Sequence, residues 1–228
     1  MLKQVKQALL HIWDYFRHKK SYSQDGEDVV LASFYEGEKG YKGFYVDVGA
    51  SHPVRFSNTL FFYKRKWQGI NIDPTPGSMK PFRWLRQRDI NLEFGIGPNS
   101  DKLTFYCFNQ PELNTFDAEL AEKRNTGKPY KIVKTLEVPI EPLAAVLDKY
   151  LPHNTTIDFM SIDVEGLDLE VLKSNNWEKY LPKFILAEDL NFSPTNFNQS
   201  EIFNFLTLKG YHLVAVLKRT IIFRHNST

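Results

Sequence analysis

The chain has 228 residues, 42% hydrophobic and 25% charged, which is enough for one sizeable globular domain with a full core. Its formal net charge of +2 gives no strong attraction to nucleic acid, so we expect no nucleic-acid partner. Cys107 is the single cysteine, which excludes a disulfide framework and a cysteine-based zinc site. The sequence has no run of about 18 apolar residues, so it predicts no transmembrane helix.

The first segment, residues 1–20, predicts an amphipathic helix with basic residues outside its apolar face. That face consists of Val5, Leu9, Ile12, Trp13 and Phe16. We interpret it as a helix packed on the domain or on a second subunit; peripheral contact with an anionic membrane is the alternative. The segment lacks the apolar core and cleavage site of a secretory signal, so we expect a cytoplasmic protein, with membrane association as the alternative. Residues 21–228 are then predicted to form a single domain.

Short apolar runs alternate with helical patterns along that domain. The predicted strands are Phe44–Val48, Gly69–Ile72, Asn91–Ile96, Leu103–Phe108, Thr135–Ile140, Ile157–Ile162, Phe184–Ala187, Tyr211–Leu217 and Thr220–Arg224. Such alternation predicts an α/β fold with a mostly parallel sheet and helices on both faces. The last two strands form an antiparallel C-terminal hairpin around Lys218-Arg219.

The predicted helices separate these strands. They begin near Ser23 as an N-cap, near Ser57-Asn58-Thr59, and over Met79–Arg88, Leu143–Tyr150, Leu167–Leu172 and Ser200–Lys209. On the Met79–Arg88 helix we expect Arg83, Arg86 and Arg88 to lie on the solvent-exposed surface. The polar region 109–131 is predicted to be a loop or short helix near the mouth of the site, where substrate contacts are common.

The most informative stretch follows the first strand. The apolar run ends in Asp47, and Gly49, Ala50 and Ser51 come directly after it. A strand that runs into a tight turn of small residues leaves room for a ligand close to the backbone. In α/β folds ligands bind outside the carboxyl ends of the strands, so this stretch predicts a nucleotide-like cofactor site.

Carboxylates also end three later strands. Asp73 follows the second strand, 26 residues after Asp47, where it is placed to accept hydrogen bonds from ribose hydroxyls; a helix cap is the alternative. The later ends carry Asp163 with Glu165, and Glu188 with Asp189. In a parallel sheet these ends share one edge, where unpaired carboxylates repel each other and need an offsetting partner.

Several motifs, in order from about Ser21 to Asp189, resemble the FkbM-type S-adenosylmethionine-dependent methyltransferases. They are Tyr22-Ser23-Gln24-Asp25-Gly26-Glu27-Asp28, Val46-Asp47-Val48-Gly49-Ala50, Ser57-Asn58-Thr59, Trp67-Gln68-Gly69-Ile70-Asn71-Ile72-Asp73-Pro74, and Ser161-Ile162-Asp163-Val164-Glu165-Gly166 with Leu169-Glu170-Val171-Leu172-Lys173. The resemblance implies a class I, Rossmann-like methyltransferase fold and S-adenosylmethionine as cofactor. It also implies O-methylation of a sugar, a glycan or a related natural product, as in glycan biosynthesis.

The resemblance also implies roles for single residues. The cofactor would contact Asp47, Gly49, Ala50, Ser51, Asn58, Thr59 and Asp73, with Asp73 on the ribose hydroxyls. Asp163 and Glu165 would face the methyl group that is transferred. The chain departs from the pattern in two places, since His52-Pro53 follow the turn and Asp73 stands where many relatives have Glu.

A sugar hydroxyl is a poor acid, so its methylation needs a base or a metal. His52 is the first candidate base because it follows the cofactor turn, and Asp163 and Glu165 are the alternatives. In a metal-assisted variant, Asp163, Glu188 and Asp189 would form an all-oxygen set suited to Mg2+.

Two other functions are compatible with the pattern. A dinucleotide-binding oxidoreductase would need a G-x-G-x-x-G turn, and this chain has only Gly49 in that window. A catalytically degenerate methyltransferase fold that binds a partner protein is the second, since His52-Pro53 alter the cofactor turn. Binding of S-adenosylmethionine separates these alternatives from the enzyme.

Overall fold

The computed structural model describes residues 20–38 and 40–227. The helices are α1 Glu27–Ser33, α2 Leu60–Tyr63, α3 Met79–Leu85, α4 Ala118–Arg124, α5 Leu143–Tyr150, α6 Asp168–Lys173 and α7 Glu201–Leu208. The strands are β1 Phe44–Val48, β2 Gln68–Ile72, β3 Ile90–Leu92, β4 Gly95–Ile96, β5 Asp101–Phe108, β6 Ile132–Glu141, β7 Phe159–Ile162, β8 Phe184–Glu188, β9 Tyr211–Val216 and β10 Thr220–His225. Short 3-10 turns lie at Pro111–Leu113 and Phe197–Gln199.

Seven strands form the main sheet in the order β3-β2-β1-β7-β8-β10-β9. The first five strands of that order run parallel to one another, whereas β10 is antiparallel to both β8 and β9. This topology confirms the predicted mostly parallel sheet with an antiparallel C-terminal hairpin. It also brings the carboxyl ends of β1, β2, β7 and β8 to one edge.

Apolar side chains fill both faces of the sheet. Along β1, Val46 and Val48 pack with residues of α5, α6 and α7, while Tyr45 packs on the opposite face with α1 and α2. The near-continuous burial of β1, β7 and β8 matches their mostly apolar sequences. The prediction of helices on both faces is confirmed.

The predicted strand Asn91–Ile96 is wrong as a single strand. The structure divides it into β3, which pairs with β2, and β4, which pairs with β6 in a separate three-stranded sheet ordered β4-β6-β5. Gly95 permits this second packing, because an added Cβ there would lie 2.7 Å from Phe116 and 2.9 Å from Ile140. An apolar run in the sequence does not reveal that its two halves pair with different strands.

The first helix starts later than the Ser23 N-cap predicts. It begins at Glu27, after Gly26 with a φ of 94°. The Ser23 hydroxyl instead donates to the buried carboxylate of Asp28 at 2.9 Å and accepts from the Asp28 N–H at 3.3 Å. The helix predicted over Ser200–Lys209 is present as α7, and Ser200 is its N-cap, since the Ser200 hydroxyl accepts from the Phe203 N–H.

Arg86 is the largest departure from the sequence-based expectation. Arg83 and Arg88 are exposed, but Arg86 is 0% exposed. The helix ends at Leu85, and Arg86 leaves helical geometry with φ −124° and ψ 50°, which turns its side chain into the protein. Helical periodicity therefore predicts the wrong face for this residue.

The predicted N-terminal helix lies outside the described residues, apart from Lys20. In residues 20–38 and 40–227, no helix is both long and apolar enough to cross a membrane.

Candidate active site

An open cleft lies at the carboxyl ends of β1, β2 and β7. Backbone, carboxyl and aromatic groups from several segments line it. The structure brings most of the predicted site residues to its wall: Asp47, Gly49, Ala50, Ser51, His52, Asn58, Asp73, Asp163 and Glu165. Thr59 lies just behind the wall, and Glu188 and Asp189 line a separate, neighbouring cavity.

The turn after β1 depends on Gly49. The residue has a φ of 86°, and an added Cβ would lie 1.8 Å from the carbonyl oxygen of Asp163. The N–H groups of Gly49 and Ala50 both donate to the carbonyl of Ile72, at 2.9 and 3.0 Å. The turn is thus held between the ends of β2 and β7, and a side chain at this position would push the two apart.

Asp73 is a buried carboxylate fixed by backbone donors. The Ser51 N–H donates to Oδ2 at 3.0 Å, and the Thr75 N–H donates to Oδ1 at 2.9 Å. Burial raises the pKa of Asp73, and these N–H donors oppose the rise. Each carboxylate oxygen has a second lone pair, so this group is able to accept hydrogen bonds from two neighbouring hydroxyls in the cleft.

Asp47 and Thr59 are linked to Arg86 beneath the turn. The Thr59 hydroxyl donates to Asp47 Oδ2 at 3.0 Å, and the Arg86 guanidinium donates to Thr59 at 3.1 Å and to Ser57 at 2.8 Å. Burial raises the pKa of Asp47 to about 6, although the Thr59 hydroxyl and Arg86 both lower it. Arg86 therefore supports the loop that carries the cofactor turn, a role that the sequence analysis missed.

Further contacts of Arg86 extend this support. Its Nε donates to the Pro53 carbonyl at 3.0 Å, and Nη1 donates to the Tyr45 hydroxyl at 3.1 Å. Asp89 lies 3.6 Å from Nη1 and accepts from Tyr45 at 2.6 Å. The buried positive charge is thus paired and hydrogen-bonded, as a buried charge requires.

Asn58 and three aromatic rings complete the cleft wall. The Asn58 amide donates to the Ser161 hydroxyl at 3.0 Å, which joins the loop before α2 to β7. Phe94, Phe105 and Phe116 add apolar surface to the wall. These rings come from three separate segments, so no local motif in the sequence marks them as a group.

His52 caps its own turn. Its Nδ1 accepts from the N–H groups of Val54 at 3.1 Å and Arg55 at 2.9 Å. Burial and the Arg55 charge lower the pKa of His52. With Nδ1 as acceptor, the neutral ring carries its proton on Nε2, so this tautomer has no free lone pair to take up a proton.

Asp163 faces the cleft from the end of β7. Its N–H donates to the Val48 carbonyl at 3.0 Å, but its carboxyl accepts no hydrogen bond from the described residues. Burial raises the pKa of Asp163 well above its ordinary value, and the nearby carboxyls of Glu188, Asp168 and Glu165 raise it further. A carboxyl with a raised pKa is a stronger base once it is ionised.

Glu165 is already paired. Its carboxylate lies 2.5 Å from Arg124 of α4, and its carbonyl accepts from the Thr115 hydroxyl at 2.9 Å. Glu165 also has a φ of 56°, an uncommon conformation for a residue with a side chain. These contacts connect the loop after β7 to the 109–131 region, part of which lines the cleft as predicted.

A second cavity lies on the other side of this ion pair. Its wall includes Asp168, Glu188 and Asp189, together with Asp117 and Arg124. Burial is the main cause that raises the pKa of Asp168 to about 7 and that of Glu188 to about 8. The carboxyl groups of Glu165 and Asp168 raise the pKa of Glu188 further, while Arg124 and Arg219 lower it.

The predicted magnesium ligands do not form a metal site. Asp189 accepts from the Ser200 hydroxyl at 2.6 Å and from the Asn191 N–H at 3.2 Å, so it caps the segment before α7. Across residues 20–38 and 40–227, no group of three or more His, Cys, Asp or Glu side chains is arranged to hold a metal ion. Asp163, Glu188 and Asp189 therefore do not fit Mg2+ in this arrangement, and we derive no step through a metal.

The cleft does fit a ribose-bearing cofactor with a positive charge. Asp73 presents a buried, positioned carboxylate at the end of β2, and the turn at Gly49 leaves backbone exposed beside it. Asp47 and Asp163 place carboxyl groups at the ends of β1 and β7, and a bound cation would favour their ionised forms. Ile72, Phe94 and Ile96 offer an apolar surface next to Asp73.

Together the sheet order, the acidic strand ends and the cleft define a Rossmann-like methyltransferase fold. The family model for the methyltransferase FkbM domain matches residues 47–213, most of the chain. The chain belongs to the FkbM methyltransferase family, which confirms the resemblance found in the sequence.

The curated proteins and the solved structures provide two further comparisons. None of the curated proteins matches the chain. Among solved structures, the chain is similar to methyltransferase FkbM from Methylobacillus flagellatus KT, with 12% identity and a TM-score of 0.48. The alignment covers 90% of this chain and 56% of that protein.

Proposed function

We propose that the chain is an S-adenosylmethionine-dependent O-methyltransferase that acts on a hydroxyl of a sugar, a glycan or a related natural product. The observation that carries the proposal is the arrangement of two carboxyls around one cleft. Asp73 is buried and fixed by two backbone donors, while Asp163 faces the cleft without a hydrogen-bond donor from the described residues. Membership of the FkbM methyltransferase family supports methyl transfer rather than the oxidoreductase alternative.

S-adenosylmethionine would supply an electrophilic methyl group on a positively charged sulfur. Asp73 would accept hydrogen bonds from the ribose hydroxyls, because it lines the cleft and a carboxylate oxygen has two lone pairs. Gly49, Ala50 and Ser51 would let the cofactor approach the backbone closely. Asp47, Asn58 and Thr59 would hold this half of the site in place from behind.

Asp163 is the proposed base. Its pKa is raised well above the ordinary value, and a cation beside it would favour the ionised form. In that form it would take the proton of the acceptor hydroxyl as the oxygen bonds to the methyl carbon and the carbon–sulfur bond breaks, which would leave a neutral thioether. Glu165 would position the loop through Arg124, and His52 would position the turn through its two backbone contacts.

The experiment replaces Asp163 by Asn, which keeps the size of the side chain and removes the base. We expect a loss of methyl transfer of about 100-fold to 10,000-fold, and a much smaller loss of S-adenosylmethionine binding, because the carboxylate beside the cation is removed. The exposed Asp148→Asn variant is the matched control, since Asp148 pairs with Lys179 and lies outside the cleft.

The measurement is transfer of labelled methyl from S-adenosylmethionine to a panel of sugars and glycans, with calorimetric binding of the cofactor in parallel. Full turnover in Asp163→Asn would contradict the assignment of the base. A folded chain that binds the cofactor but methylates nothing in the panel would contradict the acceptor class.

A further inference from the structure

Carboxyl groups outnumber cationic groups in the wall of the candidate active-site cleft. Arg55 is the only lysine or arginine in that wall within the described part of the chain, and five residues there are acidic: Asp47, Asp73, Glu112, Asp163 and Glu165. His52 is neutral near pH 7, because burial and the Arg55 charge lower its pKa. A ligand with an anionic group therefore meets a single cation in this wall.

Arg55 joins two segments of the cleft wall. It belongs to the loop between β1 and α2, and its guanidinium pairs with Glu112 of the 3-10 turn Pro111–Leu113. Both side chains are partly exposed, 56% for Arg55 and 32% for Glu112. Since an exposed ion pair contributes little to stability, another carboxylate is able to replace Glu112 at small cost.

The backbone of the cofactor turn offers no free donor to an anion. From Gly49 to Arg55, each N–H already has an acceptor, and Pro53 has no N–H. The acceptors are the Ile72 carbonyl for Gly49 and Ala50, the Asp73 carboxylate for Ser51, the Ala50 carbonyl for His52, and the His52 ring for Val54 and Arg55.

The helix that follows the turn does not replace these donors. Many nucleotide sites bind anions at a helix N-terminus, but α2 is only four residues long. The N–H of Leu60, its first residue, already donates to the Ser57 hydroxyl at 3.1 Å. The side chain of Arg55 is thus the group in this part of the wall that suits an anion.

S-adenosylmethionine carries such an anion. Its methionine part has an α-carboxylate, whose ordinary pKa of about 3.5 keeps it ionised at neutral pH. A guanidinium offers parallel N–H donors that match the two oxygens of a carboxylate. The carboxylates of Glu112 and Glu165 would repel the same group.

We propose that Arg55 exchanges Glu112 for the α-carboxylate of the cofactor and so selects cofactors in which that carboxylate is intact. The Arg55 N–H donates to His52 Nδ1 at 2.9 Å, which ties the residue to the turn that the cofactor would contact. The inference rests on the proposed use of S-adenosylmethionine. It adds recognition of the charged end of the cofactor to the ribose contact of Asp73.

The test compares S-adenosylmethionine with decarboxylated S-adenosylmethionine, which keeps the adenosine, the sulfonium and the amine but lacks the carboxylate. Calorimetry measures binding of both ligands to wild type, Arg55→Gln, Arg55→Lys and Glu112→Gln. Arg83→Gln is the matched control, since Arg83 is exposed and lies outside the cleft wall. Binding of glucuronate and of glucose to the same proteins detects a carboxylate that belongs to an acceptor.

We expect wild type and Arg83→Gln to bind S-adenosylmethionine at least about tenfold more tightly than the decarboxylated ligand. Arg55→Gln should reduce that preference to about twofold or less by weakening binding of S-adenosylmethionine alone, and Arg55→Lys should restore part of it. Glu112→Gln should keep the preference or raise it by up to about threefold, because it removes the carboxylate that competes for Arg55.

A preference that survives in Arg55→Gln, or equal binding of the two ligands by wild type, would overturn the inference. Equal weakening of both ligands in Arg55→Gln and in Glu112→Gln would also overturn it, because the ion pair would then only hold two segments of the wall together.

Two further outcomes separate the inference from its alternatives. If Arg55→Gln lost binding of glucuronate but kept the preference for S-adenosylmethionine, the carboxylate would belong to an acceptor, which overturns the cofactor as its source. A folded wild-type chain that binds neither S-adenosylmethionine nor its decarboxylated form would contradict the proposed function, and this inference with it.

Discussion

Two halves of one sheet edge hold their carboxyls in opposite ways. At the ends of β1 and β2, Asp47 and Asp73 accept hydrogen bonds from nearby hydroxyl and N–H groups. At the ends of β7 and β8, the carboxyls of Asp163 and Glu188 accept none from the described residues, and one oxygen of Asp168 lacks a partner. The first half is organised before any ligand arrives, whereas the carboxyls of the second half have raised pKa values, and a bound cation would favour their ionised forms.

This contrast assigns different tasks to the two halves. A positioned carboxylate with spare lone pairs suits recognition of fixed hydroxyls, as in a ribose. Carboxyls with raised pKa values suit proton transfer and contact with a cation. The following substitutions test the contrast, in order of decreasing expected effect.

The largest effect is expected at Arg86, which supports the organised half. Arg86→Met should lower the free energy of unfolding by about 3–5 kcal/mol, because it leaves the partners of a buried charge unpaired. Arg83→Met on the same helix is the matched control, and its exposed side chain predicts a change within about 0.5 kcal/mol. Urea unfolding measures both, and a similar small effect for the two variants would contradict the supporting role.

Gly49→Ala should be nearly as destabilising, by about 2–4 kcal/mol, because it adds an atom against the Asp163 carbonyl at a positive φ. Gly77→Ala is the control, since Gly77 has nearly the same φ, 85°, but an added Cβ meets only Lys80 Cε at 4.0 Å. We expect a cost of about 1 kcal/mol there. If denaturant unfolding showed that Gly49→Ala and Gly77→Ala lower the free energy of unfolding equally, the close approach of the turn to β7 would be incorrect.

The raised pKa of Glu188, at the end of β8, predicts that the stability of the chain depends on pH. The pKa of Glu188 rises from its ordinary value of 4.5 to about 8, so the folded chain holds this proton more tightly than the unfolded chain. Stability is therefore lost as the pH increases from about 4.5 to about 8. In Glu188→Gln this loss of stability should be smaller by about 1–2 kcal/mol. The pKa shift alone would give a larger amount, but solvent screens this partly exposed group.

The measurement is the free energy of unfolding at pH 4 and at pH 8.5. Glu178→Gln, on the exposed surface, should leave the difference between the two pH values unchanged. If the free energy of unfolding changes equally between the two pH values in wild type and in Glu188→Gln, other groups of the folded chain already offset the effect of burial on Glu188. That result would contradict the prediction.

The smallest effect is expected at His52. Asn also offers an acceptor to the N–H groups of Val54 and Arg55, so His52→Asn should keep most of the cap. Turnover should fall by less than about tenfold if His52 positions the turn. A loss beyond about 100-fold in a folded chain that still binds the cofactor would restore His52 as the base and contradict the role given to Asp163.

The sequence was sufficient to predict features that depend on strand order and period. A carboxylate at the end of a buried parallel strand must lie at the common edge, so Asp47, Asp73 and Asp163 could be placed in one site. The C-terminal hairpin followed from two apolar runs around a short polar turn. These inferences need no knowledge of how particular side chains pack.

Features that depend on tertiary packing were missed. Arg86 lies one residue beyond its helix, and its burial depends on partners 27 to 41 residues earlier in the chain. The division of Asn91–Ile96 depends on β6, which lies far along the chain. Asp168 falls within the helix predicted over Leu167–Leu172, and only the fold reveals that it is buried and that one of its oxygens lacks a partner among the described residues.

The most direct test of the central claim is calorimetric binding of S-adenosylmethionine to wild type and to Asp73→Asn, with the exposed Asp101→Asn as control. The account predicts micromolar binding to wild type and to the control, and binding about 10-fold to 100-fold weaker in Asp73→Asn, because a charged acceptor of two ribose hydroxyls is lost. A folded wild-type chain that binds no S-adenosylmethionine, or an Asp73→Asn variant with unchanged affinity, would contradict it.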